Sequence, residues 1–182
     1  MTYADVGMKR QHILSLWGEN LSGVSPVNVK NLGHIMEKRM NDIVKFCIEE
    51  CKRQNDYSSE SVANMVSAYY ELIRLYENGW DIYDHETIIL LGKMVIPFND
   101  GYRQTPVTFA NGTSGIQWTL IPRQMGLLLD SVGEISPDEF YINFERIHPF
   151  EDGNGRVGAI LWNFMSGSIE NPKCPPNFFE EK

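Results

Sequence analysis

Cysteine is scarce in this 182-residue chain: Cys47, Cys51 and Cys174 are the whole complement. An odd number with no C-x-x-C pair argues against a disulfide framework and indicates no zinc site. Cys47 and Cys51 stand at helical spacing and read as packed thiols on one face. Basic charge is also in short supply, with 16 Lys and Arg against 24 Asp and Glu and a formal net charge of −8. That balance weighs against DNA, RNA or an anionic membrane surface as the main partner. No apolar run approaches membrane-spanning length, and the start Met1-Thr2-Tyr3-Ala4-Asp5 lacks the charged and apolar regions of a secretory signal. The expected location is therefore the cytoplasm. Internal repeats and low-complexity segments are absent as well. What is present is 42% hydrophobic, in proportion to a single globular domain spanning 1–182.

The periodicities are mostly helical. A short amphipathic helix is predicted within 1–24, with Ile13, Leu14, Leu16 and Trp17 on its apolar face. Ser25-Pro26 is a cap followed by proline at the first helical position, opening a long helix to about Lys52 that Asn55-Asp56 breaks. Further helices are predicted over Ser59 to Glu77, stopped by Asn78-Gly79, and over Asp84 to Val95. The character then changes. Pro106-Val107-Thr108-Phe109 and Ile116-Gln117-Trp118-Thr119 are β-type runs around a turn rich in glycine and asparagine, so a β-hairpin is expected within 101–120. Pro122 starts another helix. Ser136-Pro137-Asp138-Glu139 is a capping box whose helix runs through Phe144 and Ile147 directly into His148, and a last helix follows Arg156 to about Met165. The tail over 171–182, with Pro172, Pro175 and Pro176, is expected to be extended.

The chemistry is concentrated in His148-Pro149-Phe150-Glu151-Asp152-Gly153-Asn154-Gly155-Arg156. Gly153 and Gly155 allow backbone angles that turn successive N–H groups around an anion, and the helix starting there adds its free N–H groups and dipole. Arg156 supplies a two-pronged donor. Asp152 is a hard oxygen ligand of the kind Mg²⁺ takes when phosphates share its coordination. His148, just before this cup, is placed to take a proton. A calcium loop beginning at Asp152 fails as a reading, because Arg156 falls where an oxygen ligand belongs and Asn163 where the bidentate glutamate belongs. His12, His34 and His85 have no such neighbours and read as structural.

These residues resemble the signature of the Fic family, HPFx[DE]GNGRxx[RK], unbroken from His148 to Arg156, and Gly101 to Leu129 is similar to the flap hairpin and helix that precede the motif in that family. The resemblance implies an all-α fold with a small β-hairpin flap and a catalytic helix-loop-helix over 136–166. It implies transfer of a nucleotide monophosphate, most often AMP from ATP with Mg²⁺, onto a Tyr, Thr or Ser hydroxyl of a target protein held along the flap by strand addition. In that scheme His148 is the general base and Asp152 holds Mg²⁺. The Gly153, Asn154 and Gly155 backbone, the Asn154 side chain and Arg156 hold phosphate oxygens. One position departs from the pattern: Ala159 stands where the family has a second basic residue. That leaves ATP, a donor such as UTP or CDP-choline, and a non-catalytic nucleotide- or protein-binding module as alternatives. Arg123 and Lys93 are candidates to replace the missing charge. Ser15 to Asn20 matches the family's inhibitory pattern [ST]xxxE[GN], as does Ser166 to Asn171, so Ser15 and Glu19 are candidates for an inhibitory element.

Overall fold

The computed structural model describes residues 26–109 and 112–177, the side chains of 26–33 and 35 excepted. The predicted N-terminal helix with Ser15 and Glu19 lies outside the described residues. The chain divides into two compact units, Met1–Asn41 and Asp42–Lys182. Among the described residues there are six α-helices and one short 3₁₀ turn: α1 Pro26–Arg53, α2 Ser59–Glu77, α3 His85–Val95, the turn Trp118–Leu120, α4 Ile121–Asp130, α5 Pro137–Ile147 and α6 Asn154–Met165. None is long and apolar enough to cross a membrane.

Local chemistry accounts for where these helices begin and end. Ser58, Asp84 and Ser136 each accept a hydrogen bond from the third backbone N–H onward, capping α2, α3 and α5. Helix α1 stops at Asn55, which takes a left-handed φ of 57°. There Asp56 N–H reaches Cys51 O at 2.9 Å and Asn55 N–H reaches Lys52 O at 3.0 Å, the paired bonds of a Schellman turn. Gly79, with φ 75°, ends α2 in the same way through Trp80 N–H to Leu75 O at 3.1 Å.

The core of the unit Asp42–Lys182 is mainly aliphatic and contains an aromatic cluster. Phe46, Tyr69, Phe140, Phe144 and Phe150 are all fully buried, and Phe46 meets Tyr69 edge-on at 5.7 Å, joining the C-terminal half of α1 to α2. Helix α5 packs on α6 and on α4, and α3 packs on α2 and α6. Two glycines set the closest approaches. A Cβ at Gly158 would come within 3.0 Å of the Tyr141 ring, and one at Gly92 would enter the ring of Phe150. Phe150, the third residue of the motif, is thereby seated against α3.

The expected hairpin is reduced. Thr108 and Ser114 form an isolated antiparallel bridge, with Gly115 N–H on Val107 O at 2.9 Å and Phe109 N–H on Thr113 O at 2.8 Å. No strand is formed among the described residues. On either side of this turn the Arg103 guanidinium takes the carbonyls of Thr105 at 2.6 Å and Ile116 at 2.9 Å.

Candidate functional site

Helix α5 ends on His148 itself, in the left-handed region at φ 51°, ψ 64°. Histidine tolerates that region better than a β-branched residue. The reversal turns the imidazole out of the helix while the N–H of His148 still bonds Phe144 O. Its Nδ1 stands 3.3 Å from Glu145 O, and Phe109 from the turn segment meets the ring edge-on at 5.2 Å. Burial pulls the imidazole below its ordinary pKa, the backbone contact to Glu145 opposes this, and the charge of Arg103 lowers it further. Neutral imidazole, the form that accepts a proton, is therefore favoured at pH 7.

The loop after His148 is closed by its own side chains. Asn154 Oδ1 accepts from Phe150 N–H at 2.8 Å and its Nδ2 donates to Phe150 O at 3.0 Å. The Asn154 amide is thus engaged by the loop backbone, which leaves its main-chain N–H and the second Nδ2 hydrogen. Gly153, φ 81°, starts α6 with no side-chain cap, and its own N–H is taken by Asp152 Oδ1 at 2.6 Å. The N–H groups of Asn154, Gly155 and Arg156 follow in the first turn and have no intrahelical acceptor. Both glycines are tightly enclosed. A Cβ at Gly153 would lie 2.8 Å from Ile96, and one at Gly155 would enter the amide of Gln54.

Arg156 is buried at 3% exposure and already holds two carboxylates, Asp56 at 2.9 Å and Asp152 at 3.4 Å. Its Nε is buried without a partner. The Schellman turn after α1 thus delivers Asp56 to the guanidinium. Burial pushes the Asp56 carboxyl up, but hydrogen bonds from Ser61 and Ser58 and the charge of Arg156 outweigh it and hold the group below its ordinary range. Asp152 is 70% exposed and faces solvent at the cup's rim. No cluster of three or more His, Cys, Asp or Glu side chains forms among the described residues. A single accessible carboxylate is nonetheless what Mg²⁺ uses when phosphates and water complete its shell, so Asp152 fits that ion.

Several residues that build the site carried no local signal. Arg103, 3% exposed, donates through Nε to His148 O at 2.7 Å, and its N–H bonds Pro149 O at 2.8 Å. Together with its bonds to Thr105 and Ile116, it straps the turn segment onto the histidine. Thr105 Oγ1 also donates to the Glu151 carboxylate at 2.8 Å. Asn99 bridges Gly92 O and Asp152 O, each at 3.1 Å, anchoring the loop to α3. One turn before His148, Glu145 Oε1 is buried without a partner, and burial reinforced by the charge of Glu50 pushes this carboxyl up to about 7. Ala159 is fully buried in α6. Lys93 instead pairs with Asp100 at 3.4 Å on the surface, and neither it nor Arg123 is hydrogen-bonded to the cup.

The Fic/DOC family pattern matches residues 136–166, which is the unit α5–loop–α6 just described. Over that unit the chain is similar to the Fic/DOC family. Its structure is similar to that of a Fic family protein from Desulfovibrio desulfuricans G20 (TM-score 0.55, 16% identity), covering 94% of this chain and 61% of the length of that one. It is also similar to a Fic domain containing signaling protein from Bacteroides thetaiotaomicron VPI-5482, with a TM-score of 0.51, 19% identity, and coverage of 85% of this chain and 70% of that one. At such identities the likeness is one of fold. No curated protein matches the chain in sequence. The second copy of the inhibitory pattern, Ser166 to Asn171, lies in turns after α6 and not on a helix.

Proposed function

We propose that this chain carries a Fic domain that transfers a nucleotide monophosphate, AMP from ATP in the first instance, to a Tyr, Thr or Ser hydroxyl of a target protein. The observation that carries the reading is His148 at the left-handed end of α5, followed six residues later by the uncapped start of α6. His148 Nδ1 is directed to a backbone carbonyl, which leaves Nε2 as the basic nitrogen. In the proposed reaction His148 Nε2 takes the proton of the target hydroxyl as its oxygen attacks the α-phosphorus. The N–H groups of Asn154, Gly155 and Arg156 receive phosphate oxygens, and the helix dipole stabilises charge as the leaving group departs. Asp152 would hold Mg²⁺, which supplies charge neutralisation on the phosphates. The turn over 105–117, pinned by Arg103, is read as the flap edge along which the target segment lies.

Ala159 favours a second donor. The family's second basic residue is replaced by a buried methyl group, so the terminal phosphates of ATP lose one charge-assisted contact, worth about 1.5–3 kcal/mol or roughly one to two decades of affinity. A donor with less charge at that end, such as CDP-choline, is the alternative, and UTP remains open because nothing on α6 selects the base. Incubation with Mg²⁺, cell lysate as target and, separately, ATP, UTP, GTP, CTP or CDP-choline, read by intact mass, decides between them. An increment of one nucleotide monophosphate, or of phosphocholine, names the donor. No increment with any donor would replace the transferase by a binding module.

A further inference from the structure

A groove of about 400 Å³ opens between α4 and α5 beside the flap segment. Its floor is Leu128 and Ile147, both buried, and Ile116 closes the end next to the flap. Its outer wall is Leu127, which is 56% exposed. Leu120, 44% exposed, continues the same helical stripe beyond the groove. An open apolar wall of this kind is poorly satisfied by a small molecule, which would leave it wet, and is suited to a polypeptide segment that covers it. The polar lining is provided by Gln124, Ser131, Asn143 and Arg146. Arg146 is exposed and makes no ion pair among the described residues, in a chain whose net charge is −8. Two landmarks tie the groove to the reacting centre. Ile147 is the residue before His148, and the Ile116 carbonyl and the His148 carbonyl are held by the same Arg103 guanidinium.

We propose that this groove is the specificity subsite for the target protein, taking from an extended, hydroxyl-bearing segment one large apolar side chain and a neighbouring carboxylate. The inference rests on the transferase reading for its occupant's role. The apolar side chain lies on Leu128 and Ile147 under Leu127, and the carboxylate pairs with Arg146, where charge complementarity has no internal competitor. A segment paired along the flap edge continues past Ile116 into the groove, so the apolar and acidic residues lie on one side of the modified hydroxyl.

The test uses fluorescein-labelled extended peptides, each with one tyrosine and a Leu-Glu, Leu-Lys or Ser-Glu pair stepped along its length. Binding is read by anisotropy without nucleotide, and transfer is read separately by mass. Leu-Glu peptides should bind the wild type about five- to tenfold more tightly than Leu-Lys peptides at one spacing only. Arg146→Glu should reverse that order, and Leu127→Ser, which adds no charge, should weaken Leu-Glu and leave Ser-Glu unchanged. Binding with that preference but no transfer would sink the transferase reading and leave the groove standing as a peptide site. Transfer without sequence preference, equal binding of all three peptides, or no binding would overturn the subsite. Concentration-dependent dimerisation abolished by Leu127→Lys would assign the groove to a second copy of the chain and overturn it equally.

Discussion

At the scale of single residues, the site combines bonds within its own loop with bonds to partners far away in sequence. Arg156 is the clearest case, since its charge is buried and balanced by Asp56 across the Schellman turn of α1. Asp56→Ala should destabilise the domain by roughly 2–4 kcal/mol, because a buried guanidinium keeps only the longer contact to Asp152, and a fall in Tm measured by calorimetry checks it. Asp56→Asn should lose less, since the amide oxygen still accepts. His148 is tuned in the other direction. With burial lowering its pKa, the acid limb of the transfer rate should fall below the ordinary imidazole value of 6.5. A pH profile whose acid limb lies above that value would contradict the neutral-base role.

At the scale of elements, the motif loop works because two helices and a turn hold it at once. Arg103 joins the turn segment to His148 through four carbonyls and its own main-chain N–H. Arg103→Ala should therefore release the flap edge and cut transfer at least tenfold with little change in nucleotide affinity, a split that separate binding and rate measurements resolve. Gly92→Ala places a methyl group in the ring of Phe150, and overpacking there should cost about 1–3 kcal/mol in denaturant unfolding. This is also the scale at which the sequence is most legible. Serine, aspartate and proline before the helices, and asparagine or glycine after them, act within one turn, so Ser59 to Glu77 and the α5–loop–α6 unit read off directly. The hairpin reads too strongly. Strand propensity over 106–119 is real, but strand formation depends on cross-strand partners more than on propensity, and here pairing is limited to one bridge, Thr108 with Ser114. The loop-closing role of the Asn154 amide is not legible either, because it depends on the turn that the side chain helps to close.

At the scale of the whole molecule, the chain places its charges unevenly for an acidic protein. Glu145 and Glu50 are drawn into the helical unit behind the histidine, while Arg146, the next residue along, faces out. The Glu145 carboxyl, raised from 4.5 to about 7, stabilises the fold most fully when protonated. Its contribution is present below the unfolded value and is lost as pH rises through about 7. Glu145→Gln should accordingly be more stable than wild type at alkaline pH, by on the order of 2 kcal/mol, with the difference vanishing toward pH 4.5; chemical denaturation across pH tests it. No local pattern marks this pair, because Glu50 and Glu145 belong to different helices and meet only in the fold.

The central claim is that His148 performs chemistry on a nucleotide which the α6 N-terminus binds independently of it. The most direct test is a paired measurement on wild type and His148→Ala: nucleotide affinity by titration calorimetry with Mg²⁺, and transfer onto protein by intact mass. The account predicts affinities equal within about twofold and transfer reduced by two to four orders of magnitude in the variant. Transfer that survives the loss of His148, or nucleotide binding that disappears with it, would contradict the account.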